Sequence, residues 1–377
     1  MLFILSALFL LLSFIYGKLL HRFLKDWQAI SVPPAAIKAP DPATLPLVSV
    51  LVPARNEAAN IENLIRALLT QQYPTSRLEI IIIDDHSEDQ TAAIAASFKE
   101  VTLLPLQEEG INSYKKKALE KGVSMASGSL VICTDADCIP GPHWIEQLVS
   151  CYLSTDAAFI AAPVVLQHQQ NWLGYLQALD FMILQGITGA GIQSKKLLMA
   201  NGANQAYPRA VFTAVNGYAG ADRIASGDDL FLLHKISDHY PNKIVYLKSK
   251  LAIVTTAAQE SWSDFLQQRI RWASKSAFYK KGGLQAVLLL VWGYNLVLLT
   301  MAMGSIVEIR LLPIFIIGWL LKTMLEWSFV KEVAHFFERP TLLNKFFWMQ
   351  PLHILYTVTA GLLGLKGGYR WKGRNVR

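Results

Sequence analysis

Two aspartates that lie one residue apart are the first feature of this sequence that suggests chemistry. Asp135 and Asp137 follow an apolar run in SLVICTDADCIPG, residues 129–141. In an extended segment residues i and i+2 face the same side, so we expect the two carboxylates to point together. Such carboxylates repel each other unless a cation lies beside them, and oxygen ligands suit Mg²⁺ or Mn²⁺ with the phosphates of a nucleoside diphosphate. The alternative is a turn in which the aspartates only cap the chain.

Polar residues also follow two earlier apolar runs. PLVSVLVPA is followed by Arg55, Asn56 and Glu57, and RLEIIII is followed by Asp84 and Asp85. In parallel α/β sheets, ligands gather beyond the carboxyl ends of the strands. One acidic residue at a strand end is usually a helix cap, but several such ends predict a binding crevice.

Strands and helices alternate through this part of the chain. We predict strands in the runs that end at Pro53 and Ile83 and over 101–106 and 128–137, and helices over 58–74, 91–98 and 115–126. Apolar runs separated by segments of helical periodicity are typical of strands that helices cover on both faces. The pattern therefore predicts an open, mostly parallel α/β sheet.

The composition indicates a globular domain joined to a membrane. The chain is 53% hydrophobic and 17% charged, with a mean hydropathy of +0.31. Residues 1–17 carry no charged side chain and are followed by Lys18, Arg22 and Lys25. A cleavable signal peptide has its positive charges before the apolar core, so this order predicts an uncleaved anchor. Basic residues stay in the cytosol. We therefore expect an integral protein of a bacterial inner (plasma) membrane with a cytosolic catalytic domain.

Three further apolar segments follow the globular part, near 284–304, 311–330 and 347–365. Three crossings would leave a basic tail outside, so we expect two full crossings and a cytosolic tail. The predicted domains are an anchor (1–20), a linker (21–45), a globular domain (46–280), a membrane region (281–365) and the tail (366–377). The net charge of +7 suits the headgroups of a lipid bilayer rather than nucleic acid, for which no motif is present.

The cysteines are Cys133, Cys138 and Cys151, an odd number without paired CxxC spacing. We interpret them as buried thiols in a reducing compartment. This interpretation agrees with a globular domain on the cytosolic side of the membrane.

Five motifs occur in a fixed order between residues 46 and 275. They are VSVLVPARNEAANIENLIRALLTQQYP, IIIDDHSEDQT, KKKALEKGVSMASGSLVICTDADC, GDDLFLL and QQRIRW. This order resembles the membrane-bound family 2 glycosyltransferases, and is similar to that of lipid glycosyltransferases of the ceramide glucosyltransferase type. The resemblance implies a GT-A fold: a mixed, mostly parallel sheet with helices on both faces, plus flanking transmembrane helices.

The resemblance also implies a site for the donor nucleotide. Pro53, Ala54, Arg55 and Glu57 would line a uridine pocket, and Asp85 would hydrogen-bond the uracil base. The donor would then be a UDP-sugar.

The resemblance implies that the two aspartates of TDADC form the DxD motif of the family. Asp137 would be the direct metal ligand, and Asp135 would lie nearer the ribose or the metal's shell. A family lysine that approaches the nucleotide matches Lys115 or Lys116. The alternative for these lysines is a solvated helix face.

Two later motifs resemble the sugar and acceptor parts of the family's site. Gly202, Ala203 and Asn204 in ANGANQAYPRAV match the segment that holds the transferred sugar, with a plain tight turn as the alternative. In SGDDLFLL, Asp228 stands at the family's Glu position and Asp229 would be the general base. The alternative is an acid pair that favours the helix dipole.

The motif QQRIRW supplies Gln268, Arg271 and Trp272 at the family's QxxRW spacing. Positions i, i+3 and i+4 share one face of a helix, so the three side chains can be presented together. An arginine can clamp a diphosphate, and the tryptophan would flank a sugar or acceptor. An amphipathic helix at the membrane surface is the alternative, although it does not explain the glutamine.

These residues together predict an inverting glycosyltransferase that moves a sugar from a UDP-sugar to a hydroxyl of a membrane lipid. The small membrane part and the ending GGYRWKGR favour a lipid acceptor over processive polysaccharide synthesis, which is the alternative. A catalytically inactive relative would lack Asp137, Asp229 or Arg271, and a nucleotidyltransferase would not explain residues 268–272. The sugar, the lipid, the metal and the oligomeric state stay open.

Overall fold

The computed structural model describes residues 2–32, 44–221, 227–274, 282–365, 369–371 and 374–376. The chain divides into two compact units. The sheet unit contains Ile30–Val165 and Leu198–Ala257, and the helical unit contains Met1–Ala29, Leu166–Leu197 and Ala258–Arg377. The single domain predicted over 46–280 is therefore interrupted. Much of the predicted linker and tail, and the boundary at residue 280, lie outside the described residues.

The strands of the described residues include the four that were predicted, which are the first four in chain order. They are β1 (Val48–Ala54), β2 (Leu78–Asp84), β3 (Val101–Pro105), β4 (Leu130–Cys133), β5 (Cys138–Pro140), β6 (Phe159–Ala161), β7 (Val164–Gln167), β8 (Gln205–Pro208), β9 (Ile244–Tyr246), β10 (Val254–Ala257), β11 (Tyr369–Trp371) and β12 (Arg374–Val376). The predicted strand over 128–137 is shorter than expected, since it ends at Cys133.

The helices include long apolar ones at both ends of the chain. They are α1 (Leu2–Gln28), α2 (Ile61–Leu69), α3 (Thr91–Ala96), α4 (Tyr114–Met125), α5 (Trp144–Thr155), α6 (Trp172–Gln193), α7 (Arg209–Ala214), α8 (Asp228–His239), α9 (Trp262–Ser274), α10 (Gly282–Gly304), α11 (Leu311–Phe336) and α12 (Leu343–Gly364). Because α1 continues to Gln28, the anchor helix is longer than the predicted boundary at residue 20.

A seven-stranded sheet forms the centre of the sheet unit, in the order β3-β2-β1-β4-β8-β6-β9. Strands β1 to β4 are parallel to one another, and β8 is antiparallel to both of its neighbours. The β-branched residues of β1 and β2 suit strands that are buried on both faces, and Ile61, Leu64 and Leu68 give α2 its buried face. The mixed, mostly parallel α/β sheet is therefore confirmed.

The segment after β4 differs from the predicted geometry. Asp135 to Cys138 form a turn in which the Cys138 N–H donates to the Asp135 carbonyl at 3.1 Å. The extended conformation that we expected for the two aspartates is therefore wrong, because the chain reverses there to enter β5. The thiols are buried and free, as expected, and burial raises the pKa of Cys133 to about 12.

The helical unit contains α1, α6 and α9 to α12. Among the described helices, three are long and apolar enough to cross a membrane: Leu5–Gln28, Gly283–Gly304 and Leu311–Phe336. The helix α12, which covers the third segment predicted after residue 280, is not in this group. The helix α6 was not predicted. Residues 172–193 form a long, mostly apolar segment with a single charged side chain, Asp180.

Candidate functional site

Four charged side chains of the sheet unit form a group that we call the acidic cluster: Lys115, Asp135, Asp228 and Asp229. Lys115 lies in the first turn of α4, Asp135 follows β4, and the other two aspartates begin α8. The ammonium of Lys115 donates to Asp135 Oδ1 at 2.6 Å and lies 3.5 Å from Asp228 Oδ2. Of the two candidate lysines, the structure therefore brings Lys115 to the aspartates.

Lys116 occupies a different environment from its neighbour. Its side chain is buried, and its ammonium lies 3.5 Å from the carbonyl oxygen of Ala221. Lys117, the third lysine of the run, pairs with Glu120 at 2.8 Å. A solvated helix face therefore does not describe Lys116, which is buried, whereas Lys115 and Lys117 are paired and partly exposed.

Gly202 brings the backbone close to this cluster. Gly202 precedes β8, and the first residue of β8, Gln205, pairs with Cys133 at the end of β4. Gly202 therefore lies at the same edge of the sheet as the turn after β4. The N–H of Gly202 donates to Asp229 Oδ2 at 3.2 Å.

A side chain at Gly202 would enter the acidic cluster. A Cβ there would lie 3.1 Å from Asp228 Oδ2 and 3.2 Å from the ammonium of Lys115. Such distances are tighter than ordinary van der Waals contacts, so one of the two charged groups would have to move. Glycine therefore lets the backbone approach the charged side chains without displacing them.

Within the described residues, the ammonium of Lys115 faces three carboxylates, those of Asp135, Asp228 and Asp229. Burial lowers the pKa of Lys115, but the carboxylates of Asp135, Asp228 and Asp229 outweigh this effect and raise the pKa overall. The side chains of Lys115 and Asp135 keep 24% and 33% of their surface exposed. Solvent and ligands can therefore reach the acidic cluster.

The loops that follow β1 and β2 are tied together by Arg55. This buried side chain donates from Nη1 to the carbonyl oxygens of Asp85 and His86, at 2.8 Å each. The backbone of His86 has a φ of 53°, a conformation that is uncommon outside glycine and clusters at functional sites. The guanidinium of Arg55 therefore holds the shape of the predicted nucleotide pocket, rather than being directed into solvent.

The other predicted pocket residues lie in the same two loops. Pro53 and Ala54 end β1, and the N–H of Asp85 donates to the Ala54 carbonyl at 2.7 Å. The side chain of Asp85 is buried, with 3% of the residue exposed, and the Glu57 N–H donates to Thr91 Oγ1 at 2.7 Å. These contacts place the predicted pocket at the carboxyl edge of the sheet.

The side chain of Asn204 is buried and fully hydrogen-bonded within the sheet unit. It has no exposed surface, and its Nδ2 donates to the carbonyl oxygens of Pro163 and Ala252, at 2.8 Å each. Its Oδ1 accepts a hydrogen bond from Trp144 Nε1 at 2.9 Å. The amide of Asn204 is therefore enclosed and bonded within the sheet unit, and the assignment of residues 202–204 to the transferred sugar stays a prediction.

The sequence itself matches a known family over much of this unit. Residues 49–215 match the model described as Glycosyl transferase family 2. This segment, less than half of the chain, is therefore similar to glycosyl transferase family 2. The matched segment contains Lys115, Asp135, Asp137 and Gly202, whereas Asp229 and the QxxRW residues lie beyond it.

Similar proteins include enzymes of different named activities. Glycosyltransferase AglE of Haloferax volcanii is 34% identical over 125 residues, which are 32% of this chain and 40% of the relative. Poly-β-1,6-N-acetyl-D-glucosamine synthase of Staphylococcus epidermidis is 25% identical over 236 residues, 60% of this chain and 53% of the relative. β-Monoglucosyldiacylglycerol synthase of Trichormus variabilis is 35% identical over 98 residues, 25% of this chain and 21% of the relative.

These alignments leave much of each relative unmatched, since the chain spans about half the length of the first relatives or less. One solved structure aligns over nearly the whole chain: mannosyltransferase PcManGT from Pyrobaculum calidifontis, in complex with GDP-Man and Mn²⁺. Its TM-score is 0.59 at 19% identity, and the alignment covers 95% of this chain and 99% of that chain. This likeness confirms the GT-A-like fold.

The turn after β4, which lies in the matched segment, fits a divalent ion that takes part of its ligands from a substrate. Asp137 is exposed in this turn and Asp135 is half-buried. Within the described parts of the chain, no group of three or more His, Cys, Asp or Glu side chains is placed to hold a metal ion. Mg²⁺ commonly uses one or two carboxylates with substrate phosphates and water, which agrees with this donor set.

The QxxRW residues lie on α9 in the helical unit. Gln268 Oε1 accepts a hydrogen bond at 2.6 Å from Nη1 of Arg269, a residue that the sequence analysis did not consider. The guanidinium of Arg269 also stacks on the ring of Trp272 at 4.2 Å and pairs with Asp180 at 2.8 Å. The signal that could have revealed this pair was the lone charge of Asp180 in an apolar helix, since such charges are rarely left unpaired.

Proposed function

We propose that the protein transfers a sugar from a nucleoside-diphosphate sugar to an acceptor hydroxyl. The observation that carries this proposal is the acidic cluster, in which one ammonium faces three carboxylates beside the backbone of Gly202. Its position at the carboxyl edge of the parallel strands supports a nucleotide-sugar site, and two of its members, Lys115 and Asp135, lie in the segment that is similar to family 2.

In the proposed reaction, Asp229 is the general base. Its carboxylate accepts the proton of the acceptor hydroxyl as that oxygen bonds to the anomeric carbon, and the bond from this carbon to the diphosphate breaks. A single displacement inverts the anomeric centre, so an α-linked donor gives a β-glycoside. The half-buried position of Asp229, at the start of α8 and next to Gly202, supports this role.

The leaving diphosphate needs positive charge around it. Asp137 and Asp135 would hold Mg²⁺ or Mn²⁺, which, when bound, neutralises charge on the diphosphate. Arg271 would donate to phosphate oxygens, and Gln268 and Trp272 would contact the sugar or the acceptor. Lys115, whose ammonium already lies among carboxylates, would contact the donor near its phosphates.

The proposed donor is a UDP-sugar held by Pro53, Ala54, Arg55, Glu57 and Asp85. The burial of Asp85 and the hydrogen bonds of Arg55 to the same loop support a shaped base pocket. Because the similar mannosyltransferase structure holds GDP-Man, a test of donors must include GDP-sugars beside UDP-sugars.

The proposed acceptor is a hydroxyl of a membrane lipid on the cytosolic side of the bacterial inner membrane. Within the described residues, three helices are long and apolar enough to cross a membrane, and a glycolipid synthase is among the similar proteins. Both observations support this acceptor. Processive polysaccharide synthesis is the second candidate, since a polysaccharide synthase aligns over 60% of the chain.

The experiment that tests the proposal uses membranes that contain the full chain. These are incubated with a panel of radiolabelled UDP- and GDP-sugars, with Mn²⁺ or with chelator, and extracted with organic solvent. We expect label in one discrete lipid species from a UDP-sugar, and only with the metal. Label in a polymer of high mass would select the second candidate, and no transfer from any donor would contradict the proposal.

A matched pair of variants tests the metal site. Asp137→Ala is expected to abolish the Mn²⁺-dependent part of nucleotide binding, measured by calorimetry with UDP and GDP. Asp238→Ala, which removes an exposed carboxylate near the end of α8, serves as the control and is expected to leave it unchanged. Equal nucleotide affinity with and without chelator in the unmodified protein would refute the metal assignment.

A further inference from the structure

Arg269 lies between the residues of the QxxRW motif without being part of the pattern. Its side chain is only 4% exposed, and its guanidinium lies between two aromatic rings, 4.6 Å from the centroid of Phe265 and 4.2 Å from that of Trp272. Its Nη1 donates to Gln268 Oε1 at 2.6 Å. One buried cation therefore contacts two of the three motif residues.

Asp180 of α6 neutralises this cation. Its Oδ2 accepts a hydrogen bond from Arg269 Nε at 3.0 Å and lies 2.8 Å from Nη2, and its other oxygen accepts a hydrogen bond from the hydroxyl of Tyr356. Both partners of the ion pair are almost completely buried. In such a place an unpaired charge is strongly unfavourable, so the arginine keeps its position only while the carboxylate is present.

The same face of α6 makes two more contacts with the segment that contains the motif. The amide of Gln177 exchanges two hydrogen bonds with the backbone of Gln259, at 2.9 Å each, shortly before α9 begins. The ring of Phe181 lies 6.1 Å from that of Trp272. Residues 177, 180 and 181 share one face of the helix, so α6 supports α9 at its entry and in its last turns.

Further polar contacts connect the Arg269–Asp180 pair with helices α12, α11 and α1. We call the connected residues Arg269, Asp180, Tyr356, His353, Lys322, Glu326, Gln350 and Tyr16 the polar chain. His353 lies 4.0 Å from Asp180 and 3.5 Å from the ammonium of Lys322. Glu326 pairs with Lys322 at 2.7 Å, accepts from Tyr16 at 2.5 Å and also binds Gln350. The chain therefore runs from α9 to the anchor helix α1.

We propose that Asp180 is a positioning residue which, through Arg269, holds Gln268 and Trp272 in the orientation that sugar transfer requires. This inference rests on the proposed function. It assigns to α6 a role in the reaction although no residue of α6 belongs to a recognised motif. Replacing the carboxylate leaves Arg269 without its anion, so the guanidinium moves and the amide and indole that it contacts lose their orientation.

The kinetic test uses the full chain in lipid nanodiscs. We expect Asp180→Asn to lower kcat at least about tenfold per folded molecule, while the KM of the donor changes by less than about threefold, because misplacement of reacting groups affects turnover more than binding. Asp180→Glu, which keeps the charge, should recover part of kcat. Arg22→Gln, which breaks a more exposed ion pair of α1, is the control and should be neutral.

A double variant tests whether the two residues act as one device. Asp180→Asn combined with Arg269→Gln should be no slower than the slower single variant, since both changes remove the same interaction. A kcat per folded molecule that stays normal in Asp180→Asn, with only the yield of folded protein reduced, would overturn the inference. Rate losses that multiply in the double variant would overturn it as well.

A spectroscopic test does not depend on activity. In protein labelled with 5-fluorotryptophan, the ¹⁹F resonance of Trp272 can be assigned with Trp272→Phe. We expect it to shift in Asp180→Asn but not in Arg22→Gln, and an unchanged resonance would overturn the inference. If it shifts while the unmodified protein transfers no sugar, the proposed function fails but the contact through Arg269 stands.

Discussion

The acidic cluster of the sheet unit and the polar chain of the helical unit are both groups of charged side chains, yet they differ in charge balance and exposure. In the acidic cluster one ammonium faces three carboxylates, and Lys115 and Asp135 are 24% and 33% exposed. In the polar chain two cations face two anions, and none of these four side chains is more than 8% exposed. An open, unbalanced group suits a ligand, whereas a closed, balanced one holds helices together.

The largest effect is expected from Asp229→Asn in the acidic cluster. If Asp229 is the base, kcat should fall by about 10² to 10⁴-fold, the usual contribution of general base catalysis, while the affinity for the donor nucleotide stays unchanged. Single-turnover transfer and calorimetry with the nucleotide measure the two quantities. Asp238→Asn, on the exposed side of the same helix, is the control. Full turnover by Asp229→Asn would show that Asp229 is not the general base.

Removing the cation from each group tests the comparison directly. Arg269→Met should lower the free energy of unfolding by about 3 to 5 kcal/mol, because a buried carboxylate loses its partner. Lys115→Met should cost less, about 1 to 2 kcal/mol, since solvent reaches the acidic cluster. Thermal unfolding in detergent measures both losses.

Mn²⁺ should distinguish the two variants. A divalent ion can replace the ammonium among open carboxylates, so added Mn²⁺ should restore the stability of Lys115→Met but not that of Arg269→Met. Lys117→Met, which removes a partly exposed pair on the same helix as Lys115, is the control. Equal rescue of both variants would show that the contrast between the two groups is wrong.

Asn204 extends the comparison because it is a buried, fully hydrogen-bonded side chain in the same unit as the partly exposed acidic cluster. Asn204→Ala should lower the free energy of unfolding by about 2 to 3 kcal/mol, since buried partners of its amide lose their hydrogen bonds. Its folded fraction should bind the donor as tightly as the unmodified protein. A large loss of donor affinity without loss of stability would show that the side chain of Asn204 contacts the donor.

The smallest effect is expected from a single methyl group. Gly202→Ala should lower kcat by about tenfold, equivalent to about 1.4 kcal/mol, because the new Cβ pushes against Asp228 and Lys115. Gly141→Ala is the matched control, since a Cβ at Gly141 would meet no atom within 4 Å. Kinetics of the two variants with the same donor measure the difference, and equal rates would mean that the acidic cluster tolerates the methyl group.

Local patterns in the sequence were sufficient for the elements that build the site. The runs before Arg55, Asp85 and Asp135 predicted β1, β2 and β4, because β-branched residues bounded by polar ones need no distant partner to be recognised. The polar residues after these runs could be placed at one edge of the sheet because the carboxyl ends of parallel strands lie together. Long apolar runs likewise predicted the helices that can cross a membrane.

Tertiary packing decided which side chains meet. Lys115 and Lys116 are adjacent in sequence, and only the docking of α4 determines that the first faces the aspartates while the second is buried elsewhere. Asn204 fits a family motif, yet its amide is enclosed by Trp144 and two carbonyl groups from distant segments. A motif specifies residue types, but the direction of each side chain depends on what packs against it.

The sequence by itself therefore determined the alternation of strands and helices, the apolar helices and the acidic strand ends, since each is written in residues that are close along the chain. The tertiary structure alone decided that α6 supports α9 and that Asp180 pairs with Arg269, 89 residues away. The physical reason is that burial and periodicity are local properties, whereas the pairing of buried charges depends on which helices pack together.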